Sequence, residues 1–329
     1  QVCEDGVCVE VTVDPCEGVT CEEGQVCEDG VCVETSEEAD WGPAAFFNSL
    51  TIADDTCCFD FNDDGTPDNA VAGLIDLISG MTGDDGDVND SIAEKLTTGE
   101  IIVLVEFLGV TNWVDQDNFL MQVYVGKDTD DDFADNLDPA TAGEFWVDPS
   151  SLDEQDEAIV KFNDVVIQSG KLIGGPSVFV FDLPLTDELL LHAAMDGATI
   201  EADVTVDDSV NPPLVSLSNG MLGGYIAKSV IVDALNSYVG ESCDCLGLDG
   251  VPLISEYDEC TSVAGETCST DDDEDNDTCA DIASNCAVAT MLIGNVLDID
   301  ADGDGVDDSI SMGLEFGAIP AAIVGIEVE

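Results

Sequence analysis

Apolar and polar residues alternate along much of the middle of the chain. From Ile200 to Val206 every second residue is apolar, which is the period of a β-strand with one face in water. Ile101 to Val105 is apolar throughout and predicts a central strand. Further strand patterns cover residues 119–125, 158–168, 178–183 and 312–324. We therefore expect a mainly β chain with an antiparallel β-domain, for which a sandwich is one arrangement.

Two stretches carry the spacing of amphipathic helices. Residues 70–78 place their apolar side chains on one stripe, and residues 225–238 do the same after Gly223 and Gly224. Helices should therefore be few and short, and should pack on the β-domain. The chain divides into a cysteine-rich repeat arm, residues 1–40, and a β-rich domain, residues 41–329, which includes a late cysteine cluster between residues 243 and 286.

The charge of the chain is strongly one-sided. It has 74 Asp and Glu against five Lys and no Arg, which gives a formal net charge of -69. A nucleic-acid partner requires clustered basic residues, and the lysines are scattered singly at Lys95, Lys127, Lys161, Lys171 and Lys228. Nucleic acid and anionic membrane surfaces are therefore excluded as partners. Because 45% of the residues are hydrophobic and the mean hydropathy is +0.14, the acidity does not indicate disorder.

Two compatible explanations account for this acidity. Carboxylates keep a halophilic protein hydrated and soluble at high salinity, and they also bind divalent cations. Both explanations remain open from composition alone.

Fourteen cysteines indicate a disulfide framework. An even count at regular spacings is typical of secreted proteins in an oxidising setting, so we expect an extracellular or cell-surface location. Zinc would require C-x2-C pairs or several histidines, whereas the repeat has C-x4-C and C-x5-C spacings and His192 is the sole histidine. No apolar run is long enough to span a membrane. Cys57 and Cys58 have no near neighbours and could pair with two of six late cysteines, which are Cys243, Cys245, Cys260, Cys268, Cys279 and Cys286.

The arm contains a repeat. The sequence QVCEDGVCVE occurs at residues 1–10 and again at 25–34, and the complete unit covers residues 15–33. The first copy is truncated, so we expect a further half-unit before Gln1. The C-x4-C-x5-C-x4-C unit resembles small EGF-like or follistatin-like modules of secreted bacterial surface proteins. That resemblance implies the pairs Cys16–Cys27 and Cys21–Cys32.

Two aspartate-rich loops carry the clearest chemistry. Both match the D-x-[DN]-x-D-G start of an EF-hand-type loop, in which a glycine at position 6 allows the oxygen ligands at positions 1, 3 and 5 to converge on Ca²⁺. Thr66 and Val306 would contribute carbonyl oxygens. The candidate ligands are Asp60, Asn62, Asp64, Thr66 and Asp68 in the first loop and Asp300, Asp302, Asp304, Val306 and Asp308 in the second.

The loops depart from an EF-hand at position 12. A bidentate Glu belongs there, but the chain has Val71 and Ser311. In this respect the loops resemble those of dockerin and thrombospondin type 3 repeats, in which other residues complete the ligand shell. A solvated Asp-rich turn is the alternative interpretation. The same trailing Gly-Leu pair after both loops suggests an internal duplication. The acidic tract 271–277 is expected to be a solvated loop, with a further Ca²⁺ site as the alternative.

These features favour an extracellular structural protein. We expect a subunit of a surface filament or fibre that is stabilised by disulfides and Ca²⁺ and has copies of itself as partners. Val9, Val11 and Val13 alternate with polar residues and could add as a strand to the sheet edge of a neighbouring subunit. An extended spacer is the alternative for this segment.

Two other functional classes stay open. A calcium-dependent adhesin or carbohydrate-binding module would hold glycans on aromatic side chains such as Trp41, Trp113 or Trp146. A secreted glycoside hydrolase would need two facing carboxylates, and no spacing in the sequence nominates a pair. We expect no enzymatic activity, because His192 lies in an apolar run and no nucleophile or phosphate-binding motif accompanies it.

Overall fold

The computed structural model describes residues 2–4, 7–9, 25–28, 31–34, 41–75, 88–130, 132–184, 190–248, 250–255, 259–263, 268 and 274–327. The chain forms two compact units, Gln1–Trp41 and Gly42–Glu329.

The described residues of the first unit form two short antiparallel hairpins. Strand β1 (Val2–Glu4) pairs with β2 (Val7–Val9), and β3 (Gln25–Glu28) pairs with β4 (Val31–Glu34). Identical repeat sequences thus form equivalent hairpins, with Cys3 opposite Cys8 and Cys27 opposite Cys32. Val9 pairs with Val2 of its own hairpin. Cys16, Cys21, Val11 and Val13 lie outside the described residues, and so do the disulfide pairs predicted for the arm.

The second unit, as far as the structure describes it, is built on nine β-strands. The alternation that predicted strands at residues 119–125, 158–168, 178–183, 200–206 and 312–324 is confirmed. Four of these strands extend further than their pattern, whereas the strand predicted at 158–168 begins two residues later, at Val160. The strands are β5 (Ala44–Ile52), β6 (Val103–Leu108), β7 (Gln116–Asp128), β8 (Gly143–Val147), β9 (Val160–Gln168), β10 (Lys171–Pro184), β11 (Leu190–Asp207), β12 (Leu214–Ala227) and β13 (Ser309–Ile326).

Eight of these strands close into an antiparallel barrel. The order is β12-β11-β10-β9-β7-β6-β5-β13, and β13 pairs back with β12 from Leu217↔Ala318 to Ala227↔Ser309. The sandwich suggested above is therefore wrong. A sandwich keeps two separate sheets, whereas this single sheet curls until its first and last strands share hydrogen bonds, which removes its open edges.

Strand β8 adds a second, smaller core outside the barrel. It pairs in parallel with the end of β13 and antiparallel with the end of β7. Strands β5 and β6 are consequently buried on both faces. Phe47 and Val105 face the barrel core, while Phe46 packs against Phe145 of β8 with ring centroids 4.8 Å apart. This arrangement explains the uninterrupted apolar run that predicted a central strand.

In the part of the chain that the structure describes, three helices and one shorter helical segment pack around the barrel. They are α1 (Val88–Thr98), α2 (Lys228–Ser242) and α3 (Glu274–Val296), and residues 70–75 are also helical. Helix α1 buries Val88, Ile92 and Leu96, which are spaced one turn apart. None of the described helices has the length and apolarity needed to cross a membrane.

The helix predictions need three corrections. Residues 225–227 belong to strand β12, and α2 begins only at Lys228, where the chain leaves the barrel. The acidic tract predicted to be a solvated loop contributes residues 274–277 to the first turn of α3. Acidic residues are favourable there because the helix dipole is positive at its N-terminus. The sequence patterns did not identify α1, whose first residues lie in another Asp-rich stretch.

The disulfides of the second unit are Cys57–Cys58, Cys243–Cys279, Cys245–Cys268 and Cys260–Cys286. Oxidation is confirmed for every cysteine side chain that the structure describes. The expected pairing of Cys57 and Cys58 with late cysteines is wrong, because these two neighbours bond to each other. The six late cysteines pair among themselves and hold α2 and α3 around a small core of their own.

Candidate metal centre

The two aspartate loops lie at the same end of the barrel. The first follows β5 and the second precedes β13. These strands are antiparallel neighbours, with Ile52 opposite Leu314, so the end of one strand lies beside the start of the other. Tertiary structure thus brings together two motifs that are 240 positions apart in the sequence.

The second loop is organised around Asp300. Its Oδ1 accepts the Asp304 N–H at 3.0 Å and its Oδ2 accepts the Gly305 N–H at 2.8 Å. Asp302 Oδ1 accepts the Asp304 N–H at 3.0 Å, and Asp304 Oδ1 accepts the Val306 N–H at 2.9 Å. Each carboxylate therefore fixes the backbone of the residues that follow it in the sequence. As a result the next carboxylate also points toward the middle of the loop.

The first loop has the same hydrogen bonds at the same positions. Asp60 accepts the N–H groups of Asp64 at 3.1 Å and Gly65 at 2.8 Å. Asn62 Oδ1 accepts the Asp64 N–H at 3.0 Å, and Asp64 Oδ1 accepts the Thr66 N–H at 2.9 Å. The two loops are thus structurally equivalent.

Backbone conformation agrees with this equivalence. Position 6 has φ of +92° at Gly65 and +91° at Gly305, and position 4 has φ of +60° at Asp63 and +76° at Gly303. Glycine adopts positive φ without the steric cost of a Cβ, which is why the motif requires it at position 6.

Position 9 closes each loop. The Asp68 carboxylate accepts the Phe61 N–H at 2.8 Å, and the Asp308 carboxylate accepts the Ala301 N–H at 3.2 Å. Asp68 is buried and Asp308 is partly buried. Asp68 and Asp308 therefore each join the end of their loop to its second residue, and each carboxylate faces the loop backbone.

The donor set suits a hard divalent cation. Carboxylate oxygens of Asp300, Asp302 and Asp304 all lie within 4.8 Å of one another. Oxygens bound to one Ca²⁺ at about 2.4 Å are at most about 4.8 Å apart, so these three can share an ion. In the first loop Asn62 supplies an amide oxygen in place of the middle carboxylate, and amide oxygens are also ordinary Ca²⁺ ligands.

Position 12 contributes no ligand in either loop. Val71 is buried in the barrel core. The Ser311 hydroxyl donates to Asp298 Oδ2 at 2.5 Å and accepts the Ala70 N–H at 2.8 Å. This agrees with the departure from an EF-hand seen in the sequence. The chain after the loops also differs, because residues 70–75 are helical while β13 follows the second loop, so the duplication suggested by the trailing Gly-Leu pairs does not extend into the fold.

Aromatic residues between the ligands anchor the first loop to the barrel. Phe61 packs against Tyr225 of β12 with ring centroids 6.3 Å apart. Phe59 lies over Gly223, where an added Cβ would be 2.8 Å from the Phe59 ring. The loop therefore requires a glycine at this point of β12, and Gly223 keeps the loop close to the strand.

Asn69 and Asp298 connect the two loops. Asn69 Oδ1 accepts the Gly313 N–H at 2.9 Å, and its amide donates to Ala53 O at 2.8 Å and Gly313 O at 3.2 Å. Asp298 accepts both the N–H and the hydroxyl of Ser311, and Ser311 in turn holds Ala70. The segment leaving the first loop is thus hydrogen-bonded to the strand leaving the second.

Two carboxyl groups in and between the loops, Asp64 and Asp298, have shifted pKa values. The Thr66 hydroxyl and N–H, which hydrogen-bond to Asp64, lower the pKa of Asp64, so the ionised form that a cation needs is favoured. Burial raises the pKa of Asp298, the Ser311 hydrogen bonds oppose this rise, and the nearby Asp68 carboxylate adds to it. The ionised form of Asp298 is therefore disfavoured at its position between the two loops.

Sequence reasoning missed one buried acid. Glu106 is 2% exposed, and its carboxylate accepts the Gly42 N–H at 2.7 Å and the Tyr124 hydroxyl at 2.9 Å. Burial raises its pKa, and these two hydrogen bonds oppose the rise. The available signal was a single carboxylate in the apolar strand VLVEFL. Glu106 fixes the backbone at the start of the second unit.

Two of the three tryptophans proposed to bind glycans, Trp113 and Trp146, pack against neighbouring residues. Trp113 packs edge-on against Phe107 with ring centroids 5.5 Å apart. Trp146 is 36% exposed and lies over Gly325, whose added Cβ would be 2.8 Å from the indole ring. His192 lies in β11. Comparison with protein-family models, curated proteins and solved structures found no match to this chain.

Proposed function

We propose that the chain is an extracellular structural protein, stabilised by Ca²⁺ and disulfides, that assembles with copies of itself. The observation that carries this proposal is the pair of equivalent aspartate loops at one end of the barrel, hydrogen-bonded to each other and to the barrel strands. Dockerin-like or thrombospondin-type loops, which these resemble, use Ca²⁺ in this structural way.

Ca²⁺ in these loops would act on stability. Asp300, Asp302 and Asp304 repel one another when they are ionised and close together, and a bound cation replaces that repulsion with attraction. Because Asn69 and Ser311 tie both loops to β5 and β13, order in the loops supports the closure of the barrel. A ligand that binds the folded state alone stabilises it by mass action.

An extracellular location is supported by the disulfides. Four pairs cross-link the second unit, and such bonds persist in oxidising surroundings. The net charge of -69 is tolerated where cations are abundant, either as salt or as bound Ca²⁺.

Calcium dependence is tested by melting the protein in millimolar CaCl₂ and in excess EGTA at equal ionic strength. We expect a higher melting temperature with Ca²⁺, two bound ions per chain by calorimetry, and one ion in Asp304→Ala or Asp64→Ala. The matched control is Asp208→Ala, which removes an exposed carboxylate from the β11–β12 turn. Equal melting temperatures in Ca²⁺ and EGTA would refute the structural role of the metal.

Self-assembly is tested separately. Deleting residues 1–40 should leave a folded, calcium-binding monomer, and Val11→Asp should weaken assembly without altering the melting temperature. Electron microscopy and light scattering of the full chain and the deletion variant give the readout. If the shortened chain forms the same assemblies, the arm is a spacer. If the full chain stays monomeric and a glycan array captures it, the adhesin alternative replaces the structural function.

A further inference from the structure

The barrel contains an apolar cavity that the calcium loops do not use. Its volume is about 270 Å³, and its deep wall is formed by buried side chains that include Phe47, Val123, Phe179, Leu222 and Leu314. It lies at the barrel end where β6 and β9 begin and β7 ends.

Irregular strand pairing creates the space. Strands β9 and β10 share three register pairs, from Lys171↔Gln168 to Ile173↔Val166. Beyond them β10 bulges at Gly175 and Pro176, and Pro176 has no N–H to continue the ladder. The Ser177 hydroxyl donates to Lys161 O instead. The two strands therefore separate on the side where Val160 and Phe179 line the cavity.

A second gap lies between strands β5 and β6, and helix α1 closes it only in part. Strands β5 and β6 pair over three residues each, and past this point the Asn89 side chain of α1 bonds to Ile52 N at 2.7 Å and Ile52 O at 3.2 Å. Ile92 of α1 forms one wall of the cavity. Eight-stranded barrels are just wide enough either to fill with side chains or to hold one small ligand, and here the valines on β7 and β9 leave the interior partly empty.

The cavity has an apolar mouth. Val125 at the end of β7 is 44% exposed and Ile159 before β9 is 52% exposed, and both line the cavity. Large exposed aliphatic side chains at the edge of an apolar pocket are favourable when an apolar molecule covers them.

We propose that this cavity binds a small, neutral, apolar molecule of roughly ten to twelve carbon atoms. An apolar cavity of about 150 Å³ stays dry and accepts benzene, so 270 Å³ accommodates a fused two-ring hydrocarbon. The described lining includes no basic residue, and Glu100 lies at the mouth. An anionic ligand would therefore be buried without a partner and repelled by the surface charge.

The test is equilibrium dialysis of the full chain, with Ca²⁺ present, against naphthalene and against naphthalene-2-sulfonate. We expect one naphthalene per chain and at least about tenfold weaker binding of the sulfonate. Val160→Phe fills the cavity and should weaken naphthalene binding by at least about tenfold, whereas the control Val178→Phe, at an exposed position on β10, should leave it unchanged.

Absence of naphthalene binding by the wild-type chain overturns the proposal, and so does equal binding by Val160→Phe. If circular dichroism shows that Val160→Phe does not fold, Leu222→Ala decides. This variant enlarges the cavity and should bind phenanthrene more tightly than the wild-type chain does. Unchanged phenanthrene affinity in Leu222→Ala rejects the cavity as the binding site.

Discussion

Asn69→Ala should be among the most destabilising single changes at the metal centre, although Asn69 is not itself a candidate ligand. Asn69 is 3% exposed. Alanine in its place removes the acceptor of the Gly313 N–H and a donor to Ala53 O. The Gly313 carbonyl still accepts the Ala53 N–H at 3.0 Å. Two buried groups, the Gly313 N–H and the Ala53 carbonyl, therefore lose their hydrogen bond to Asn69. A buried group left unsatisfied costs about 1–3 kcal/mol, which predicts a loss of about 2–6 kcal/mol.

The Asn69→Asp variant distinguishes the effect of lost hydrogen bonds on stability from the effect of lost side-chain volume. The aspartate keeps an oxygen for the Gly313 N–H but turns its second oxygen toward the carbonyls of Ala53, Asp54 and Gly313, which the Asn69 amide holds at 2.8–3.2 Å. It also adds charge near Asp298. At neutral pH we therefore expect Asn69→Asp to be at least as destabilising as Asn69→Ala, even though its shape is conserved.

The assay is urea unfolding in molar NaCl and millimolar CaCl₂, followed by circular dichroism and tryptophan fluorescence. Urea is preferred because guanidinium would screen the net charge of -69 as it denatures. Asn163→Ala, at an exposed position of β9, is the matched control and should change the free energy of unfolding by less than about 0.5 kcal/mol. A loss below about 1 kcal/mol for Asn69→Ala would show that Asn69 does not hold the two loops together.

Two further predictions concern the buried acid and the late disulfides. The pKa of Glu106 is raised in the folded state, so its protonated form stabilises the fold below the unfolded pKa of 4.5, and this contribution is lost as pH rises through the folded pKa. The melting temperature of Glu106→Gln should therefore rise relative to that of the wild-type chain between about pH 4 and 7. Parallel pH profiles of the two melting temperatures would contradict this. Replacing both Cys243 and Cys279 by alanine should destabilise the α2–α3 region by about 3 kcal/mol, because with Cys245–Cys268 intact the Cys243–Cys279 bond closes an additional loop of roughly 15 residues. Amide hydrogen exchange should accelerate in α2 and α3 and stay unchanged in β5–β7. Uniform acceleration would show that the barrel depends on this bond.

Six strands of the second unit and the shape of the aspartate loops were readable from the sequence. Alternation at Ile200–Val206 and the apolar run at Ile101–Val105 depend on which faces of a strand meet water, and these patterns are complete within a few residues. The turn from Asp300 to Gly305 is equally local, because its hydrogen bonds span at most five residues and its positive φ values need only glycine. These features do not depend on the rest of the chain.

Helix boundaries were less well determined. Tyr225 continues an apolar stripe into α2, yet it pairs with Ser311 across β12 and β13. Local amphipathicity is the same in either state, so the neighbouring strand decides where the helix begins. The acidic start of α3 was misassigned for a related reason, because its charges suit both a solvated loop and the first turn of a helix.

Closure of the barrel, the disulfide pairing and the link between the loops were decided by tertiary structure alone. An alternating strand pattern fits a sandwich and a barrel equally well, and only the pairing of β12 with β13 distinguishes them. Asn69 meets Gly313 across 244 positions, and Glu106 meets Gly42 across 64. Such contacts have no counterpart in local periodicity, because a carboxylate or amide in an apolar surrounding is tolerated only where a distant backbone group satisfies its hydrogen bonds. The sequence thus specified six of the strands and the loop conformation, whereas the fold determined which of them are neighbours.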